Sequence, residues 1–183
     1  MSTLRIAAVV ASLALGLSAG VFAAESQNQN NLRPNLGQAI TPGDLAPWDI
    51  SVMPDGTGLP AGSGTAKQGA PIFQAKCSAC HGENGKGGEA AAVTAGPPRA
   101  TLDGGKTIAN FWPYATTIFD FVRRAMPANA PKSLSNQEVY ALTAYLLYLN
   151  KLIGETDTID AKTLPAIKMP NVNNFIIRFP ERI

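Results

Sequence analysis

Both cysteines and the only histidine of this 183-residue chain stand in one five-residue run, Cys77-Ser78-Ala79-Cys80-His81. That scarcity constrains the chain more than any other feature. A disulfide scaffold needs several cysteine pairs, and a zinc site needs four ligands or three that converge tetrahedrally. Neither can be assembled from two thiols and one adjoining imidazole. A thioredoxin-type dithiol is expected beside a βαβ pattern, which is missing from the sequence around Cys77. The spacing fits covalent haem attachment instead. Two thiols three residues apart add across the two vinyl groups on one edge of a porphyrin. The histidine that follows then comes beneath the iron as proximal ligand. One haem c, held through Cys77 and Cys80 and ligated by His81, is the expected cofactor.

A sixth ligand remains to be found. With both cysteines and the histidine used, a methionine thioether is the natural donor. Met53, Met126 and Met169 are each followed by proline, so position decides among them. Met126 lies between the haem motif and a strong helix, in a loop bracketed by Pro127 and Pro131. Met53 and Met169 fall outside the apparent core. Met126 is therefore the expected axial ligand; the competing reading is a methionine that fills the core.

The start of the chain reads as an address. A single charge at Arg5 precedes an uncharged run over residues 6–23, which ends in small residues and turns polar at Glu25. This is the pattern of a secretory signal peptide, 1–23, cleaved near Ala23. An uncleaved anchor is the alternative. No other segment is long and apolar enough to span a membrane. Export to a periplasm is therefore expected, and in an exported chain the Cys-x-x-Cys-His run reads as haem attachment. The formal charge of +2, without a basic run, argues against nucleic acid as a partner.

Only 15% of residues are charged, and 17 glycines and 14 prolines punctuate the chain. Much irregular backbone is expected around a small helical core. Residues 24–63 read as an extended arm with Trp48 as its apolar anchor. Residues 64–153 read as the haem domain and residues 154–183 as a second, irregular extension. Ahead of the motif, Pro71 makes a helix start late, near Gly69, or kink. A carbonyl in or near Gly96-Pro97-Pro98 would accept from the second nitrogen of His81, or this is an ordinary turn. Ile118, Phe121, Val122 and Ala125 mark an amphipathic helix over residues 115–125. Ser135-x-x-Glu138 is a capping box that opens the next helix. Its apolar face is Val139, Leu142, Tyr145, Leu146 and Leu149, and Gly154 closes it. The small Gly69 would let the helix before the motif cross this one. Trp112 and Tyr114 carry an N–H and an O–H suited to haem propionates, with Arg123 and Arg124 as further candidates; both aromatics also fit as core residues. The fold class is all-α.

This order of parts resembles the class I cytochrome c fold. Closer similarity lies in Phe111-Trp-Pro-Tyr-Ala-Thr-Thr-Ile-Phe-Asp-Phe-Val-Arg-Arg-Ala-Met-Pro127, in Ser133-Leu-Ser135 and in Glu138-Val-Tyr-Ala-Leu-Thr-Ala-Tyr-Leu-Leu-Tyr-Leu-Asn150. Together with the arm from Trp48 to Pro60 and the tail at Leu164-Pro and Met169-Pro-Asn171, these resemble SoxD. That family is the haem subunit of periplasmic sulfane/sulfite dehydrogenases. The resemblance covers residues 48–171. It implies Met126 as distal ligand; with one haem motif the chain would be a short form with a single haem. It also implies a molybdenum-cofactor subunit as partner, from which the cytochrome takes electrons one at a time. A further cytochrome c or an oxidase would accept them. The chain itself would then be no enzyme. A free-standing shuttle between a periplasmic dehydrogenase and an oxidase is the alternative. A haem enzyme fits less well, because a methionine sixth ligand closes the iron. Two extensions superfluous to the haem argue for a lasting protein contact.

Overall fold

The computed structural model describes residues 37–94 and 106–176, so the leader expected at 1–23 lies outside the described residues. The chain divides into two compact units, Met1–Leu45 and Ala46–Ile183. In the first, a single turn, α1 (Pro42–Leu45), is capped by Asp44, whose carboxylate takes the Thr41 amide at 2.8 Å and hydroxyl at 2.7 Å.

The second unit is mostly helical, with α2 (Ala66–Lys76), α3 (Ser78–His81), α4 (Ile108–Phe111), α5 (Ala115–Ala125) and α6 (Asn136–Leu149). Helix α6 is its centre. Ser135 and Glu138 form the expected capping box. Val139, Tyr140, Leu142, Ala144 and Leu147 are all buried. The buried set extends beyond one stripe, as expected of a helix enclosed by its neighbours. The helix does not run on to Gly154. It stops at Leu149, and Lys151 takes the left-handed conformation, φ 61°. The Lys151 amide bonds to Tyr148 O and the Leu152 amide to Leu147 O, the pair of a Schellman motif with lysine where glycine is usual.

Helix α2 begins at Ala66, earlier than Pro71 suggests. A second capping box, Thr65 with Gln68, opens it. Pro71 and Lys67 are both exposed, so the carbonyl that loses its helical donor faces water rather than the core. The crossing at Gly69 is as expected. A β-carbon there would sit 2.0 Å from Ala141 O and 2.6 Å from its carbonyl carbon. Along α5 the inward face is Ala115, Ile118, Phe119 and Val122. Phe119, not Phe121, fills the core, and Phe121 is 43% exposed.

A small antiparallel pair joins the two flanks. β1 (Ser63–Thr65) pairs with β2 (Thr158–Asp160), Gly64 opposite Ile159. Gly64 lies so close to α6 that a β-carbon would meet Ala141 N at 2.4 Å. Ile159, Leu164 and Met169 are then 2%, 0% and 2% exposed. Met169 is thus a core residue, where the sequence placed it outside. Val52 and Leu59 pack against the same cluster from the other flank, and Tyr140 Oη donates to Pro60 O at 2.9 Å. Trp48, read as an anchor, is 72% exposed. Among the described residues no helix is long and apolar enough to cross a membrane.

Candidate functional site

Helix α3 is only one turn long, and it gathers the chemistry. Cys77 ends α2, giving its amide to Phe73 O at 2.8 Å, and also opens α3. The Cys80 and His81 amides both bond back to Cys77 O, at 3.2 and 3.0 Å. One helical turn therefore sets the two thiols three residues apart, on one side, with the imidazole next to the second. Both cysteines are free; Cys77 is half-buried and Cys80 exposed. Burial pushes the Cys77 thiol up, Lys76 opposes this, and Cys80 adds to it.

Beyond His81 the backbone reverses tightly. Gly82 has φ +80°, and a β-carbon there would lie 2.0 Å from Lys86 O. One on Gly88 would lie 2.1 Å from Cys80 O. The loop is tied by Ala90 N to Cys80 O at 2.8 Å and Val93 N to Gly85 O at 2.8 Å. It brings Ala91 O to within 2.8 Å of His81 Nδ1. A carbonyl only accepts, so Nδ1 carries a proton, and in the neutral ring Nε2 then keeps its lone pair. The acceptor for His81 is thus Ala91, a residue the sequence reading passed over. Gly96, Pro97 and Pro98, named for this task, lie outside the described residues. A backbone carbonyl has no side-chain signature, so nothing in the sequence marked Ala91. Asn150 completes the support, donating from Nδ2 to Val93 O at 3.1 Å and Leu146 O at 2.8 Å. It fastens the loop below the imidazole to the end of α6.

The remaining candidates sit on α5. Met126 is the C-cap of that helix, half-buried and packed against the core edge, with its amide on Val122 O at 3.1 Å. Tyr114 is the N-cap, half-buried, and its backbone bridges to Lys168. Trp112 is half-buried, its ring edge-on to Phe121 at 5.5 Å. Met126 and the two aromatics therefore occupy opposite ends of a helix about 16 Å long. Arg124 is engaged: its guanidinium makes two bonds to Asp120, at 2.9 and 3.2 Å, and the pairing raises its pKa. Arg123 is half-buried. No group of three or more His, Cys, Asp or Glu among the described residues could hold a metal ion.

The cytochrome c family model matches residues 66–150. The crystal structure of the sulfane dehydrogenase SoxCD from Paracoccus pantotrophus contains a chain that superposes with a TM-score of 0.72 at 32% identity, covering 82% of this chain and 75% of that one. The chain belongs to the class I c-type cytochromes. No curated protein matches this cytochrome. It resembles the SoxD haem subunit, as its motifs imply. Membership implies covalently bound haem c, and the donor set suits that group. The cytochrome offers two unpaired thiols at thioether spacing, an imidazole held in the tautomer that frees Nε2, and a half-buried thioether at the end of α5. Once bound, haem supplies a one-electron couple whose potential a thioether ligand raises.

Proposed function

We propose that the cytochrome carries a single haem c attached through Cys77 and Cys80, with His81 and Met126 as axial ligands. In this reading Ala91 O fixes the imidazole plane, Asn150 holds the loop that carries Ala91, and Trp112 and Tyr114 donate to the propionates. The protein passes single electrons and is not itself the catalyst. Its donor is the molybdenum-cofactor subunit of a periplasmic sulfite or sulfane dehydrogenase, and its acceptor is another cytochrome c or an oxidase. The signal peptide is removed near Ala23.

The observation that carries this reading is the reach of the SoxCD superposition. It takes in 82% of the chain, whereas the cytochrome domain proper spans residues 66–150. A generic shuttle would match over the domain and diverge in the flanks. Co-expression with the molybdenum subunit and a haem-maturation system tests it. The two chains are expected to copurify, and sulfite or a sulfane donor should reduce the haem within the complex. A cytochrome that purifies alone and takes up electrons no faster with that subunit present is a free shuttle.

A further inference from the structure

Residues 47–49 and Ser51 are exposed, so burial does not explain their course. Trp48 is 72% exposed, so its ring adds little to the core. Its contact is the ammonium of Lys132, 4.4 Å from the ring centroid. The same ammonium reaches Pro47 O at 3.5 Å. Further along, Ser51 Oγ accepts from Arg124 Nη2 at 3.4 Å. The Val52 amide donates to Asp120 Oδ1 at 3.0 Å, the oxygen that also receives Arg124 Nη2 at 2.9 Å. Pro47, Trp48, Ser51 and Val52 therefore grip the chain on both sides of Met126. Asp120 and Arg124 lie in the last turns of α5 before it, and Lys132 lies in the irregular run after it.

The segment is also anchored at its far end. Gly58, φ +87°, packs so closely that a β-carbon would stand 2.0 Å from Ser51 O, and Gly56 lies under the Pro165 ring. Pro60 O is held by Tyr140 on the central helix. A tether fixed to α6 at one end and to both flanks of the loop at the other resists outward movement of the loop.

We infer that residues 47–52 are a strap that keeps the Met126 loop closed, with Asp120, Lys132 and Trp48 as positioning residues. The inference rests on Met126 being the axial ligand. Its consequence is kinetic and thermodynamic protection of the sixth position. An external ligand must displace the thioether, and displacement moves the loop against the strap.

The test uses the full-length ferric haem protein and imidazole as competing ligand, titrated by absorbance. Asp120→Ala, Lys132→Ala and Trp48→Ala should each bind imidazole roughly threefold to tenfold more tightly, the range that a lost hydrogen bond or exposed cation contact supplies. Trp48→Phe should recover part of the difference. Unfolding by urea should shift less than imidazole affinity. Met126→Ala serves as the reference and should bind far more tightly than any strap variant. If Met126→Ala binds no better than the parent, the axial-ligand reading fails and the strap with it. If Met126→Ala binds tightly while all strap variants match the parent, the strap alone is refuted. A gain in affinity matched by an equal loss of unfolding free energy is general loosening and also overturns it. Should Asp120→Ala fail to load haem, Lys132→Ala and the Trp48 pair decide on their own.

Discussion

Two methionines, each followed by proline, play opposite parts. Met169 is 2% exposed and belongs to the central apolar cluster; Met126 stands half-buried at a helix end. Met169→Ala is expected to cost about 2–5 kcal/mol, as buried methionines do, and to leave the far-red absorption of thioether-ligated ferric haem in place. Met126→Ala should reverse the pattern, abolishing that band and lowering the reduction potential with a smaller loss of stability. Equilibrium unfolding and redox titration of the two variants separate these outcomes. At this scale the sequence was informative where chemistry has a side-chain signature. Cys77, Cys80 and His81 announce themselves by scarcity and spacing. Ala91 does not, because it acts through its carbonyl. The burial of Met169 was hidden for another reason: it joins a cluster whose other members are mostly distant in sequence.

Among the helices, the crossing of α2 on α6 turns on one glycine. Gly69→Ala would gain about 1 kcal/mol of helix propensity. It would also drive a methyl into the Ala141 backbone, which cannot swing aside as a side chain can. Overpacking of this kind costs about 1–3 kcal/mol or more, so a net loss is expected, read as a lower melting temperature of the haem protein. A second joint between the same helices is the Lys76–Glu138 pair at 2.6 Å. The Lys76 bond first, and then the Ser135 amide, hold the Glu138 carboxyl below its ordinary range. A lowered folded pKa stabilises above the ordinary glutamate value, and the contribution vanishes as pH falls through the folded value. Between about pH 5 and 3 the parent should lose stability more steeply than Glu138→Gln. The difference should stay below about 1 kcal/mol, since both side chains are partly solvated. Urea unfolding at several pH values measures it. Local signals served this level well: Ser135-x-x-Glu138, Gly69 and the bounds of α5 all read correctly. Thr65-x-x-Gln68 is the same kind of signal for α2, and the reading from Pro71 passed over it. The choice of Phe121 over Phe119 shows that a helical stripe fixes its own position only to within about one residue.

For the whole molecule the sequence reading was least complete, since pairing of residues 63–65 with 158–160 leaves almost no local trace. Three residues are too few for a strand period to register. Yet that pairing decides what the flanks are for. Ile159, Leu164 and Met169 help to close the core. A chain ending after Ile153 should therefore lose cooperative thermal unfolding, followed by circular dichroism. If the shorter form melted as sharply as the parent, the C-terminal flank would be an ornament rather than part of the core.

The β1–β2 pair has a further consequence in time. Ile159 and Met169 leave the ribosome after the haem motif, separated from Cys80 by some eighty residues, about 4–16 s of synthesis at roughly 5–20 residues per second. Until they arrive, the core that encloses Tyr140 and Leu142 is short of one wall. A growing chain therefore carries Cys77 and Cys80 well before its core can close. Closure of the core waits for the last part of the chain to be made.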